Sequence, residues 1–234
     1  MIYKVLKYLN FLKDSICSII YEDRCECVIC KQYEENKICS VCKSKISFAK
    51  GSFFIDKEGY RLKCYSVAYY SGTTVELILR LKYKSDFTCG EILAKYLADK
   101  IKKENIKVHF LTFVPMTKKD FKRRGYNQSK FLAKRVGYIL EIPVIKSLIK
   151  IKKTKDQIGL NGEERWNNVN NSFKCVNKHK IIDKNIILID DVITTGATAF
   201  ACAKELVKCK ANKINILTVA KSRSEERRVG KECM

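Results

Sequence analysis

Two adjacent carboxylates, Asp190 and Asp191, separate an apolar run from a stretch of small, hydroxyl-bearing residues in IILIDDVITTGAT, Ile186 to Thr198. Ile186, Ile187, Leu188 and Ile189 suit a strand buried on both faces, as in a parallel sheet. The acids then fall at its carboxyl end, where open α/β sheets bind ligands. Thr194, Thr195, Gly196, Ala197 and Thr198 form a turn, and a helical pattern (Ala199, Cys202, Ala203, Leu206, Val207) begins at once. The unpaired N–H groups of that helix start, the threonine hydroxyls and the freedom of Gly196 to take positive φ make a cradle for an anion. Carboxylates that can accept from hydroxyls, set beside amides that can hold phosphate, read as a phosphosugar site. The plainer alternative is a capped strand, turn and helix with surface acids, which leaves the coincidence of these features unexplained.

A second constellation is C-x-x-C twice, Cys27 with Cys30 and Cys39 with Cys42, eight residues apart. Each pair can present two thiolates from one knuckle, and the four together suit a closed, structural Zn²⁺ site. A redox dithiol or chance clustering is the alternative, and nearby Cys25 could replace Cys27 as a ligand. The surrounding residues are too poor in apolar groups to fold alone, so metal binding would supply much of their stability. The remaining cysteines of the twelve are scattered and read as small core fillers, except Cys233 in the tail described below.

A third cluster is basic. Phe110 to Val114 reads as a strand ending at Pro115, and Lys118, Lys119, Lys122, Arg123 and Arg124 follow, then Gly125, Tyr126, Asn127 and Gln128. A solvated charged face is the ordinary reading of such a run, but its place after a strand end favours a binding role. Further elements must hold these groups: a strand at Val67 to Tyr70, helices at Val75 to Leu81 and Cys89 to Lys103, and a strand at Ile214 to Ala220.

The 234 residues suffice for one α/β domain and a small module. Net charge is +22, yet only ten of 47 basic residues are arginine, and abundant Lys, Ile and Asn suggest an AT-rich genome rather than a particular partner. Such basicity is compatible with phosphorylated substrates or nucleic acid. Residues 1–22 carry a helical apolar stripe broken by lysines, expected to be an amphipathic helix on the protein's own body or, less commonly, on a membrane. With no membrane span and no signal-peptide pattern, a cytoplasmic location is expected. Residues 223–234 include RSEERRVGKEC, which looks like the translation of a sequencing adapter, and they are set aside as an expected artefact.

The apolar-acid-threonine segment resembles the phosphoribosyl-pyrophosphate (PRPP) loop of type I phosphoribosyltransferases, and VPMTKKDFKRRGYNQS resembles the signature of the ComF family. Thr154, Gln157, Leu160, Arg165, Asn168 and Phe173 sit at the spacings of that family's T-x-x-Q-x-x-L block, and a lysine-tyrosine element lies at Leu81 to Lys84. The resemblance implies an α/β, type I phosphoribosyltransferase-like fold: a mostly parallel sheet flanked by helices over residues 60–221, with a Cys₄ zinc ribbon over residues 23–48. It implies that Asp190 and Asp191 hold ribose hydroxyls and that Thr194, Thr195, Gly196, Ala197 and Thr198 hold the 5′-phosphate. Pro115, Lys118, Lys122, Arg123, Arg124, Asn127 and Gln128, with Lys152, Thr154, Gln157 and Arg165 of a catalytic loop, would face pyrophosphate or DNA. Lys152 stands where many relatives place arginine, which weakens bidentate phosphate binding there. The ligands implied are PRPP, or a related phosphoribosyl compound, with Mg²⁺, and a phosphoribosyl transfer. The alternative implied is natural competence, with single-stranded DNA and competence proteins as partners. His109 and His179 match no motif and are expected to be structural, and Trp166 is expected to anchor its loop.

Overall fold

The computed structural model describes residues 25–151, 166, 169 and 171–222. The amphipathic segment 1–22, the loop residues Lys152, Thr154, Gln157 and Arg165, and the tail 223–234 lie outside the described residues.

A short helix α1 (Ser40–Ser44) belongs to the cysteine knuckles and precedes the strands β1 (Phe53–Lys57) and β2 (Tyr60–Tyr69). Glu58 and Gly59, both at positive φ, close the two strands into a hairpin, the backbone twist such turns need. Helices α2 (Gly72–Lys84) and α3 (Phe87–Lys103) lead to β3 (Phe110–Phe113), α4 (Lys118–Arg124) and α5 (Gln128–Leu140). The strands β4 (Leu148–Lys150) and β5 (Phe173–Cys175) form a separate antiparallel pair. The chain then runs through β6 (Asn185–Ile193), α6 (Ala197–Lys208) and β7 (Lys213–Lys221).

The main sheet has the order β1-β2-β7-β6-β3, and only the β1–β2 contact is antiparallel. This is the mostly parallel α/β architecture expected. Its centre explains the apolar run: Ile186, Ile187, Leu188 and Ile189 are fully buried because side chains alternate across a sheet covered on both faces. Ile187 and Ile189 enter one core with Leu77, Leu93, Leu97 and Leu132 of α2, α3 and α5. Ile186 and Leu188 enter another with Phe200, Cys202 and Leu206 of α6.

Three elements differ from expectation. β6 continues past the fourth apolar residue through both acids, because Val192 and Ile193 keep pairing with Ala220 and Lys221 of β7. The strand expected at Val67 to Tyr70 starts at Tyr60, in the hairpin. The basic run is largely a helix, α4, capped by Thr117 Oγ1 accepting from Asp120 N at 3.0 Å and ended by Gly125 at φ 76°. Among the described residues no helix is long and apolar enough to cross a membrane.

At Gly90, α3 packs close against its neighbours: a Cβ there would lie 2.4 Å from Phe131 Cε1 and 2.9 Å from Leu81 Cδ1. Gly90→Ala is therefore expected to lower stability by about 1–3 kcal/mol through overpacking, despite the better helix propensity of alanine. Urea unfolding monitored by circular dichroism checks this, and an unchanged or raised midpoint would contradict it.

Candidate phosphosugar site and metal knuckle

Alternation along β6 sends the two acids to different surroundings. Asp191 continues the Ile187–Ile189 face, toward α2, and its Oδ2 lies 2.8 Å from Lys82 Nζ. That contact is an ion pair outside good hydrogen-bond alignment, while Asp191 Oδ1 accepts from Val192 N at 2.6 Å. Asp190 Oδ1 accepts from Ser129 Oγ at 2.8 Å, at the start of α5, and from Asp191 N at 2.9 Å.

The electrostatics follow from this crowding. Burial, and then the neighbouring Asp191 carboxylate, push Asp190 up to about 7, against the pull of Ser129, the Asp191 amide and Lys82. Burial alone would lower the Lys82 ammonium, but the two carboxylates overcome it and raise it above the ordinary lysine value. Lys82 is a site residue that the sequence reading named only as part of a family element. Its signal was present in the L-K-Y-K spacing after an apolar helix, but nothing in sequence told it from its exposed neighbour Lys84.

Across the cleft the turn expected to hold phosphate ends in Gly196, at φ 73°, immediately before α6. Any side chain there would be strained, and a Cβ would meet Ile55 Cδ1 at 2.5 Å. Gly196 thus admits both the turn and the approach of β1. Ala197 N donates to Thr195 Oγ1 at 3.5 Å, and the start of α6 opens onto a cleft of about 770 Å³. Asp190, Asp191, Thr194, Thr195, Gly196, Ala197 and Thr198 all line that cleft, together with Lys82, Tyr83, Pro115 and Lys150.

The basic segment divides. Arg123, Arg124, Asn127 and Gln128 line the cleft, whereas Lys118 and Lys122 are exposed and not part of its wall. Arg124 donates to Gln128 Oε1 at 3.2 Å and stacks 5.1 Å from the Tyr83 ring centroid. Arg123 pairs with Asp120 at 3.1 Å. Asn127 has structural duties: its Oδ1 caps α5 by accepting from Lys130 N at 2.9 Å, and its Nδ2 donates to Val114 O at 3.1 Å. It ties the end of β3 to α5 and so brings Pro115 and Ser129 into the same cleft. Trp166 rests against Phe200 of α6, centroids 5.3 Å apart, with Lys57 over its ring.

The sulfurs of Cys27, Cys30, Cys39 and Cys42 all lie within 4.8 Å of one another, and three of the residues are buried. Tetrahedral thiolates around Zn²⁺ at about 2.3 Å stand roughly 3.8 Å apart, and the Cys30–Cys39 separation is 3.6 Å. Backbone amides point at the sulfurs, Cys39 N to Cys27 Sγ and Cys42 N to Cys39 Sγ, both at 3.4 Å. Burial raises the Cys27 thiol, but backbone donors from Cys30, Cys39 and Ile29 prevail and bring it below the ordinary thiol value. Amides aimed at sulfur stabilise thiolate, and the four residues fit a zinc ion as a closed set of ligands.

A carboxyl raised by folding leaves stability untouched below the ordinary carboxylate range and costs increasingly as pH climbs, fully once pH exceeds the folded value. Asp190→Asn keeps an oxygen for Ser129 and the Asp191 amide, so it is expected to raise the melting temperature by several degrees at about pH 8 and hardly at all at about pH 4. Equal effects at both pH values, by differential scanning calorimetry, would contradict the assigned burial of charge.

No protein-family model matches the chain. Competence protein F of Haemophilus influenzae is 28% identical over 224 residues, 92% of this chain and 93% of that protein. Competence protein ComFC of Bacillus subtilis is 32% identical over 163 residues, 67% of this chain and 63% of that protein. Among solved structures, the glutamine PRPP amidotransferase of B. subtilis complexed with ADP and GMP is similar at 19% identity and a TM-score of 0.39. That similarity covers 55% of this chain and 25% of the amidotransferase, so the chain spans a quarter of that protein's length. Through the first two of these similarities, the chain is similar over most of its length to proteins named Competence protein F and Competence protein ComFC.

Proposed function

We propose that the cleft binds PRPP, or a related phosphoribosyl compound, and that the protein transfers the phosphoribosyl group to an acceptor. The observation that carries this reading is the placement of two carboxylates and an open helix N-terminus on one cleft, the strand that bears the acids passing into the helix through a turn of only three residues. Asp190 and Asp191 would accept from the ribose hydroxyls, and the amides of α6 with Thr194, Thr195 and Thr198 would hold the 5′-phosphate. Pyrophosphate would lie toward Pro115 and the guanidinium of Arg124, with Lys152, Thr154, Gln157 and Arg165 contributing from outside the described residues. The bond from the anomeric carbon to the pyrophosphate oxygen breaks, and one to the acceptor's nucleophile forms, through an oxocarbenium-like state. The chain's role is to hold the sugar between its two anchors and keep the acids facing its hydroxyls.

Among the described residues no third carboxylate or histidine joins the acids to make a magnesium cage. Mg²⁺ therefore fits as a companion of pyrophosphate, bound to the ligand's own oxygens, and its chemistry would be to disperse the departing charge. Asp190→Asn or Asp191→Asn is expected to weaken PRPP binding about 10- to 100-fold, the value of a hydrogen bond to a charged group, with the sheet intact. Unchanged affinity in isothermal titration calorimetry would remove both residues from the site.

A second reading, single-stranded DNA binding in competence, is favoured by a separate feature. Lys118 and Lys122 are exposed on α4, the helix whose Phe121, with Phe87, Tyr126 and Phe131, lines an apolar groove of about 480 Å³ that has Lys130 and Lys134 on its walls. Phe87 and Phe121 are 45% and 48% exposed, available for base stacking between cations. Replacing Lys118, Lys122, Arg123 and Arg124 by glutamine is expected to weaken binding to single strands of any sequence and to flatten its salt dependence by up to about three. A slope unchanged in fluorescence anisotropy would place DNA elsewhere or nowhere on this protein.

A further inference from the structure

Helix α2 lies between the metal knuckle and the acidic pair. Arg80 and Lys82 are two residues apart, hence about 200° around a helix, and they reach in opposite directions. Arg80 donates to the carbonyl oxygens of Val28 and Ile29 inside the knuckle and is itself held by Glu76 at 2.6 Å. Thr73 Oγ1 donates to the carbonyl of Cys42 at 2.9 Å, and a Cβ on Gly72 would lie 2.7 Å from the carbonyl oxygen of Lys45. Leu77, Ile78 and Leu81 share one apolar core with Cys27, Ile38, Cys42 and Ile46. On the far side, the mostly buried Lys82 places its ammonium against Asp191.

We propose that Lys82 is a positioning residue of the phosphoribosyl site and that the metal-bound knuckle, through α2, sets its place against Asp191. The inference rests on the cleft being the phosphoribosyl site proposed above. Lys82 supplies counter-charge to two adjacent carboxylates before any ligand arrives, and it holds the Asp191 carboxylate in place at the wall of the cleft. Other polar groups face the pair as well: Arg124 from α4, Tyr126 and Ser129 around the start of α5, Lys150 from β4 and the Cys202 thiol from α6. Lys82 differs from them in being anchored, two residues away, to the backbone that carries the metal ligands.

The test uses the full, zinc-loaded chain, with aspartate carboxyls followed by carbon-13 NMR across pH. In Lys82→Met the Asp190 titration is expected to move upward from about 7, because an opposing charge has gone. Affinity for PRPP with Mg²⁺ is expected to fall about ten-fold, an ordinary coupling between a site and its support. Lys82→Arg restores most of both. Withdrawal of zinc by a chelator, and separately Arg80→Gln with zinc bound, are expected to move the Asp190 titration in the same direction, with the sheet retained by circular dichroism. An Asp190 titration unmoved by Lys82→Met overturns the role of Lys82. A shift with Lys82→Met but with neither zinc withdrawal nor Arg80→Gln overturns the link to the knuckle. Should the parent fail to bind PRPP, only the phosphoribosyl reading falls, since the carboxyl titration reads Lys82 without ligand.

Discussion

Two like charges on consecutive residues at the end of a buried strand repel each other and lose hydration together, and the surrounding elements are arranged against that cost. Asp190 receives a hydroxyl and an amide, and Asp191 receives an amide and an ammonium. The amides belong to β6 itself, whereas the hydroxyl comes from the start of α5 and the ammonium from the end of α2, so both helices must be fixed relative to β6. Asn127 fixes α5 by bonding to the end of β3 while capping the helix, and the metal knuckle sits against α2. The strain that remains, with Asp190 titrating near 7, is the kind that accumulates where a site must present charge to a ligand.

The knuckle has a physical reason to exist as part of the fold. Its residues contribute Cys27, Val28, Ile38, Cys39, Cys42 and Ile46 to the core on one face of the sheet, and Arg80 closes its open carbonyls. With a metal on its four sulfurs, a module of this size would gain rigidity beyond what its apolar burial supplies. Such rigidity would reach α2 through hydrogen bonds and core packing, and that helix also supplies the counter-charge of the cleft.

Much of this was legible in the sequence where a pattern carried a single meaning. The run Ile186 to Ile189 suits a strand buried on both faces, which it is, and the four cysteines at their spacing bring four sulfurs together. Gly196 before a helical pattern gave the turn, and the reason only glycine fits, the approach of Ile55, needed the structure because β1 lies far away in sequence. The basic run was harder. Its lysines and arginines look alike in a list, but α4 turns Arg123 and Arg124 to the cleft and Lys118 and Lys122 outward, a division fixed by helical phase and the Thr117 cap. Asn127, expected to face a ligand, lines the cleft and also ties two elements together, while Lys82, expected only within the lysine-tyrosine element, is mostly buried. The tie made by Asn127 and the burial of Lys82 need the structure, because their partners, Val114 and Asp191, are set by tertiary contact.

The most direct measurement is calorimetric titration of PRPP with Mg²⁺ into the full chain at a series of pH values across neutrality. Ribose hydroxyls donate to carboxylate oxygens, so the ligand selects the ionised form of Asp190, and affinity should tighten as pH rises through about 7 and then level off. Absence of binding at every pH, or binding indifferent to pH across that range, would contradict the account of the acidic pair as the sugar-holding half of the site.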